Sequence, residues 1–215
     1  MRGDAVRELL ARSPVVPVVT FEAADEAVNV AGALLEGGIT CIEITLRTSA
    51  ALSAIRAVRD QLPGIAVGAG TVLDERLLLA AQDAGAEFGV SPGATPALLE
   101  AVRRSGLPFL PGVATVSEAM RVREAGFTVA KLFPASVVGV GFLAAVAPVL
   151  PDLAFCPTGG ITEPDATKWL ANGNVLAVGG SWLVPKPVVA ARAWGAIRDL
   201  AARACLLRRT ALSSG

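Results

Sequence analysis

The stretch CIEITLRTSAALSAIRAVRDQLPGIAVGAG, residues 41–70, decides the fold. It opens with a short apolar run, Cys41–Leu46, continues in an alanine-rich helical pattern, Ser49–Gln61, and closes with a second apolar run, Ala66–Gly70. Both runs are apolar without strict alternation, which is typical of strands that are covered on both faces. The stretch therefore predicts one strand–helix–strand unit of a parallel sheet.

The same rhythm continues along the chain. The other predicted strands are Val15–Val19, Phe88–Val90, Phe109–Gly112, Val129–Phe133, Ala154–Cys156 and Leu176–Val178. The other predicted helices are Ala24–Glu36, Asp74–Ala84, Thr95–Ser105, Val116–Ala125, Gly141–Val149, Glu163–Ala171 and Pro187–Leu207. Eight such units close a barrel, so the sequence predicts an α/β fold, a single (β/α)₈ TIM barrel over residues 1–207, with a flexible tail over 208–215. An open doubly wound sheet is the rival architecture, but no GxGxxG follows the first strand.

Composition excludes several classes of function. The 215 residues are 53% hydrophobic and carry 19 basic and 19 acidic side chains, so the formal net charge is zero. No basic surplus or basic run points to nucleic acid or to a membrane surface. Leu132–Pro151 is about 20 residues without a charge, near the length of a membrane span, but two internal prolines and two glycines favour a strand end, a loop and a buried helix.

The chain contains no histidine, which excludes a Ser-His-Asp or Cys-His nucleophile and removes the commonest ligand of a catalytic metal. Any general acid–base work must then come from carboxylates, lysines, hydroxyls or water. Cys41, Cys156 and Cys205 are far apart in sequence and form no CxxC, so a disulfide framework is not expected and a reducing cytoplasm is the predicted location. Cys41 and Cys156 are interpreted as small apolar residues of strands.

Lys131 lies inside an apolar run, Val129–Phe133, that predicts a buried strand. Burial removes hydration from an ammonium and favours the neutral amine, which is a nucleophile able to form a Schiff base with a carbonyl. The alternative is a lysine that extends from the strand end into water.

Glu43, Thr45 and Arg47 follow a period of two and so share one face of a strand. An inward-facing glutamate is costly unless it is paired or used, so Glu43 is a candidate general base, and Arg47 is a candidate clamp for a carboxylate or phosphate. A structural ion pair of Glu43 with Arg47 or with Lys131 is the alternative.

Other polar and glycine residues gather where the predicted strands end, which is where barrel enzymes place their chemistry. They are Thr71, Pro92, Phe133, Thr158, Gly159, Gly160, Gly180 and Ser181. The glycine pairs after the last two strands lie where many barrels bind phosphate through backbone amides, and they predict a phosphorylated substrate. An ordinary tight turn is the alternative for each pair taken alone.

Several motifs resemble those of one family, the 2-keto-3-deoxy-6-phosphogluconate (KDPG) and 4-hydroxy-2-oxoglutarate (KHG) aldolases. They occur in order over nearly the whole chain, as Gly38–Arg47, Gly68–Val72, Ser91–Gly93, Lys131–Pro134, Cys156–Ile161 and Gly179–Val184. The resemblance implies a trimeric (β/α)₈ barrel and a lysine-dependent lyase that yields pyruvate and uses neither a metal nor another cofactor, which agrees with the absence of histidine. The residues of the motifs are closer to those of the gluconate branch.

The resemblance also implies roles for individual residues. Lys131 resembles the Schiff-base lysine and Glu43 the carboxylate that moves protons. Arg47, Thr71 and Thr158 resemble residues around the substrate carboxylate and keto group, whereas Pro92 and Phe133 resemble walls of that pocket. Gly159, Gly160, Gly180 and Ser181 resemble the glycine-rich segments of the phosphate site.

Two departures and two alternatives accompany this resemblance. Relatives often carry a basic residue just past the first strand, where Val18–Phe21 has none, and a bulkier apolar residue at the position of Ala130. The alternatives are a phosphate-binding isomerase or epimerase, with Glu43 as base and Lys131 as an electrostatic contact, and a non-catalytic sugar-phosphate-binding barrel.

Overall fold

The computed structural model describes the backbone of residues 2–212 and the side chains of residues 5–207. Its strands are β1 Val15–Val19, β2 Cys41–Thr45, β3 Ala66–Gly70, β4 Phe88–Val90, β5 Phe109–Leu110, β6 Gly112–Val113, β7 Val129–Leu132, β8 Ala154–Pro157 and β9 Val178–Gly180. Its helices are α1 Arg2–Arg12, α2 Ala24–Glu36, α3 Ala51–Gln61, α4 Glu75–Asp83, α5 Pro96–Ser105, α6 Val116–Glu124, α7 Ala135–Val138, α8 Gly141–Val146, α9 Glu163–Leu170, α10 Lys186–Ala190 and α11 Trp194–Leu212. The alternation of strands and helices confirms the predicted α/β class.

The strands form two curled parallel sheets. Six strands pair in the order β5-β4-β3-β2-β1-β9, and three pair in the order β6-β7-β8. Single bridges, Phe155 to Val175 and Thr158 to Gly179, connect β8 to the segment that leads into β9 and to β9 itself. Because every pairing in the two sheets is parallel, the carboxyl ends of the strands gather at one end of the molecule.

Pro111 divides one predicted strand into two. The sequence predicts a strand over Phe109–Gly112, but β5 pairs with β4 and β6 pairs with β7. Proline has no N–H to donate to a ladder, so pairing is interrupted at this position. The carbonyl of Pro111 still accepts a hydrogen bond of 2.8 Å from the backbone N–H of Lys131.

The last predicted helix is wrong in one respect. The helix predicted over Pro187–Leu207 is two helices, α10 and α11, because Arg192 adopts a left-handed conformation (φ 52°) that ends the first of them. The backbone of the second continues as helix to Leu212, and residues 213–215 of the predicted tail lie outside the described residues.

The sequence analysis missed α1. Its Val6 and Leu10 are each 1% exposed and pack in a cluster that also contains Cys41, Val129 and Cys156 from three strands. Helix α1 therefore covers the interior on the side opposite the carboxyl ends of the strands. Only two buried apolar residues mark it in the sequence, which is too weak a periodic signal to predict a helix.

Several helices begin where the sequence provides a cap. Thr115 and Glu118 form a reciprocal capping box at the start of α6, and Asp74 and Thr95 accept hydrogen bonds from backbone N–H groups in the first turns of α4 and α5. None of the helices within the described residues is both long and apolar enough to cross a membrane.

Side chains of alternating strand positions fill the interior in layers, as in other parallel barrels and half-barrels. Cys41, Val129 and Cys156 belong to the inner apolar cluster that α1 covers. Glu43 and Lys131 follow two residues further along their strands, toward the carboxyl ends, and so form the next layer. The fold thus gives the two polar residues an apolar floor.

A pair of glycine substitutions tests this packing. A side chain at Gly68 in β3 would overlap the ring of Phe88, whereas one at Gly32, inside α2, meets no atom within 4 Å. Gly68→Ala should lower the free energy of unfolding by about 1–3 kcal/mol through overpacking. Gly32→Ala should raise it by about 0.5–1 kcal/mol because alanine has less backbone freedom to lose. Urea unfolding followed by circular dichroism measures both, and equal effects at the two sites would contradict the layered packing.

Candidate active site

The centre of the site is a contact between Lys131 and Glu43. The Lys131 Nζ donates a hydrogen bond of 3.3 Å to Glu43 Oε1, and the side chains are only 6% and 4% exposed. Lys131 lies on β7 and Glu43 on β2, so the contact joins the two sheets across the interior. Of the two ion pairs that the sequence left open for Glu43, the structure contains the one with Lys131.

Small and aromatic neighbours surround this pair. A side chain at Gly70, the last residue of β3, would collide with the Glu43 carboxylate, so glycine provides the space that the carboxylate occupies. The ring centroid of Phe133 lies 5.3 Å from Lys131 Nζ, which is within cation–π distance of an ammonium. Phe133 also packs closely against Gly159, so one ring contacts both the lysine and the first glycine pair.

Arg47 and Thr71 form a second unit at the strand ends. Arg47 Nε donates a hydrogen bond of 3.1 Å to the Thr71 hydroxyl. Thr71 has a φ of 62°, a left-handed conformation that is strained for a β-branched residue and is found mainly at functional sites. Backbone hydrogen bonds on either side, from Leu46 to Gly70 and from Val72 to Val90, hold this turn in place.

The remaining predicted residues lie around these two units. Thr158 is 6% exposed at the end of β8, and its hydroxyl would occupy the space of any side chain at Gly179. Pro92 lies against Gly112, which pairs in register with Lys131. The structure therefore brings Lys131, Glu43 and Phe133 into contact, whereas Arg47 contacts Thr71 instead of that pair.

The second glycine segment borders a cavity. The Trp182 ring lies where a side chain at Gly180 would project. Ser181 is exposed and lines a cavity of about 480 Å³ together with Thr20, Phe21 and residues of α10. Gly160 (φ 76°) has a left-handed backbone, and a side chain there would also collide with the Ser136 hydroxyl.

Sequence reasoning missed three residues at this end of the molecule. The Thr20 and Thr45 hydroxyls share a hydrogen bond of 2.7 Å, which links the end of β1 to the strand of Glu43. Ser136 and Trp182 cover Gly160 and Gly180 as described. The position of Thr20 directly after a predicted strand was an available signal, but Ser136 and Trp182 follow from packing alone.

Two buried thiols lie near the pair, with Cys156 in register with Lys131 on the neighbouring strand. Burial raises the pKa of Cys156 to about 12, although the charge of Lys131 on the neighbouring strand opposes the shift. Burial likewise raises the pKa of Cys41 to about 12, with a smaller contribution from Cys156. Both thiols therefore stay protonated near neutral pH and act as the apolar residues that the sequence predicts.

The arrangement matches that of a known family. The sequence model of KDPG and KHG aldolases matches residues 6–200, which is most of the chain. The chain belongs to the KDPG and KHG aldolase family. The match includes every residue of the site described above.

Individual relatives of this aldolase family span almost the full chain. A 2-dehydro-3-deoxy-phosphogluconate aldolase from Pseudoalteromonas atlantica is 42% identical over 199 residues, covering 92% of this chain and 93% of the relative. A KHG/KDPG aldolase from Escherichia coli is 42% identical over 201 residues, covering 93% and 94%. The crystal structure of a KDPG aldolase from Legionella pneumophila, with pyruvate captured at low pH as a covalent carbinolamine intermediate, has a TM-score of 0.90 at 38% identity, with 95% and 98% of the two chains covered.

The thiol pKa values predict which cysteines react. The thiolate is the reactive form, so at about pH 8 a pKa of about 12 leaves Cys41 and Cys156 unreactive toward iodoacetamide in the folded protein. Cys205 is only half-buried and should be alkylated first. Peptide mapping after timed alkylation measures this order, with the unfolded protein in guanidinium chloride as the control in which all three react. Rapid native alkylation of Cys156 would contradict the buried floor of the site.

Proposed function

We propose that this protein is a class I aldolase that cleaves 2-keto-3-deoxy-6-phosphogluconate to pyruvate and glyceraldehyde 3-phosphate. Cleavage of 4-hydroxy-2-oxoglutarate to pyruvate and glyoxylate is a further activity of the same site. The observation that carries the proposal is the buried amine of Lys131 at 3.3 Å from the Glu43 carboxylate. The names of the relatives and the pyruvate carbinolamine in the Legionella pneumophila structure support it.

The mechanism starts with a proton transfer inside the pair. The contact between Lys131 Nζ and Glu43 Oε1 provides a direct path for a proton from the ammonium to the carboxylate. Transfer of that proton leaves Lys131 as a neutral amine beside a protonated Glu43. The lone pair of the neutral amine then attacks the C2 ketone of the substrate and forms the C–N bond of a carbinolamine.

Loss of water from the carbinolamine, with Glu43 donating the proton, gives a protonated imine. The C3–C4 bond breaks, and its electron pair moves into the imine to give an enamine of pyruvate while Glu43 accepts the C4 hydroxyl proton. The aldehyde leaves, Glu43 returns a proton to C3, and hydrolysis releases pyruvate and the free lysine. Proton transfers by a positioned carboxylate of this kind typically contribute about 10²–10⁴-fold to the rate.

The surrounding residues orient the substrate in this proposal. Arg47, held by the Thr71 hydroxyl, binds the substrate carboxylate so that only the keto carbon meets the amine. Thr158 lies near the keto oxygen, and Pro92 and Phe133 form apolar walls. The backbone amides of Gly159, Gly160, Gly180 and Ser181 bind the phosphoryl group.

The proposal extends to architecture and setting. A closed (β/α)₈ barrel is supported by the bridges from β8 to β9 and by the division of one strand at Pro111, which leaves β5 and β6 on neighbouring edges of the two sheets. A homotrimer is supported by the family resemblance, and exposed apolar side chains such as Leu73 (55%) and Met120 (47%) are available for subunit contacts. A cytoplasmic location is supported by the free cysteines.

Reduction with borohydride in the presence of pyruvate tests the nucleophile. The wild-type protein should gain the mass of one reduced pyruvyl group, and peptide mapping should place it on Lys131. Lys131→Ala should form no adduct and lose cleavage activity, because no other buried amine faces Glu43 among the described side chains. Lys168→Ala, on the exposed surface of α9, is the matched control and should retain both. A folded wild-type protein that forms no adduct would support the isomerase or binding alternative instead.

Substitutions that alter the carboxylate test its separate role. Glu43→Gln should lower kcat for cleavage by about 10²–10⁴-fold, because an amide cannot carry the protons, yet leave a measurable pyruvate adduct. Gly70→Ala should also lower kcat, since its methyl group would displace the carboxylate from Lys131. Steady-state kinetics and adduct yield distinguish the steps, and Gly173→Ala, which meets no atom within 4 Å and lies outside the site, is the control. Unchanged kcat in Glu43→Gln would remove Glu43 from the mechanism.

A further inference from the structure

The cavity beside Ser181 has two walls of different charge. Its β1 side carries Thr20, Glu22 and Glu26, whereas its α10 side carries Ser181 and Lys186 among apolar residues. Lys186 is the only cation among the described residues that line the cavity, and it faces two carboxylates. The two carboxylates repel an anion and the ammonium attracts one, so the cavity is not a purely anion-attracting site.

None of these three charged groups is paired with an opposite charge of the protein. Among the described side chains, Glu22, Glu26 and Lys186 form no ion pair within 4.0 Å, either with one another or with another residue. Some charged side chains elsewhere on the surface do pair, as in Arg104–Glu75 at 2.7 Å and Arg123–Asp152 at 2.8 Å. The three charges of the cavity are therefore free to interact with a charged group that enters it.

The position of the cavity relates it to the substrate. Ser181 directly follows β9, and Thr20 is hydrogen-bonded to Thr45, which lies two residues beyond Glu43 on β2. The cavity therefore opens at the carboxyl ends of β1 and β9, at the same end of the molecule as Glu43. For a phosphoryl group to reach Lys186, the far end of a six-carbon substrate attached to Lys131 must extend toward this space.

We propose that Lys186 is a specificity-determining residue whose ammonium binds the terminal phosphoryl group, while Glu22 and Glu26 oppose that dianion from the other wall. This inference rests on the proposed function. The balance of the three charges sets how strongly a phosphorylated substrate is preferred over one that ends in a hydroxyl. The absence of a basic residue at Val18–Phe21 leaves this role to Lys186.

The test compares two substrates that differ only in the phosphoryl group, 2-keto-3-deoxy-6-phosphogluconate and 2-keto-3-deoxygluconate. Lys186→Ala should lower the ratio of their kcat/KM values by roughly tenfold or more, mainly by raising KM for the phosphorylated acid, since one charge-assisted contact is lost. Lys186→Arg should restore most of the ratio. Glu22→Gln should raise the ratio by about threefold, because a repulsive charge is removed. Lys168→Ala, outside the cavity, should match the wild type.

Two further measurements test the role of Lys186. They are the dependence of the kcat/KM ratio on salt and the formation of the pyruvate adduct. The wild-type ratio should fall as ionic strength rises, because exposed charges are screened, and that dependence should be weaker in Lys186→Ala. A wild-type protein without a pyruvate adduct overturns the proposed aldolase. A wild-type protein that forms the adduct and cleaves both acids, with an unchanged ratio in Lys186→Ala, overturns only the role of Lys186.

Discussion

The contact between Lys131 and Glu43 constrains the rest of the structure. Two ionisable groups that are almost fully buried need each other, because removing either one leaves an uncompensated charge in the interior. They reside on strands of different sheets, so the contact exists only if both sheets curl toward a common interior. The glycine at position 70 and the small residues of the layer below provide the space in which the two side chains meet. Fold and chemistry therefore share a single requirement, a narrow interior with a closed base.

The site combines a rigid base with a strained rim. Cys41 and Val129, two residues before Glu43 and Lys131, and Cys156, which pairs in register with Lys131, pack with α1 in a buried apolar cluster. Above it, the chain turns through unusual conformations at Thr71, Gly159 and Gly160. At Thr71 this geometry costs free energy and persists because backbone hydrogen bonds on both sides fix it, whereas the two glycines adopt it without strain. The amine is thus held in a dry layer, while the groups that meet a substrate first lie on turns whose shape is already set.

The sequence predicted the features that depend on local residue patterns, but not those that depend on which elements lie next to one another. Strand bounds such as Val15–Val19 and Ala66–Gly70 are confirmed, because apolar runs flanked by turn residues are local features. The break at Pro111 and the missed α1 depend on which strands lie next to one another, and no local pattern contains that information. The same limit applies to the site. A period of two places Glu43 and Arg47 on one face, but the choice of Lys131 as the partner of Glu43 requires the closure of the interior.

A substitution in the buried Lys131–Glu43 pair and a substitution in the cavity beside Ser181 differ in their effect on folding. The Lys131–Glu43 pair is desolvated, so its interactions are strong and any substitution also disturbs folding. Glu22, Glu26 and Lys186 lie at the solvent-facing cavity, where charges are screened and a substitution has little effect on the core. Under the proposed function, the reaction depends on the buried pair, whereas recognition of the substrate's far end can change by single surface residues. We therefore propose that recognition of the keto acid is tied to the fold and that the preference for a phosphoryl group depends on a local balance of charge.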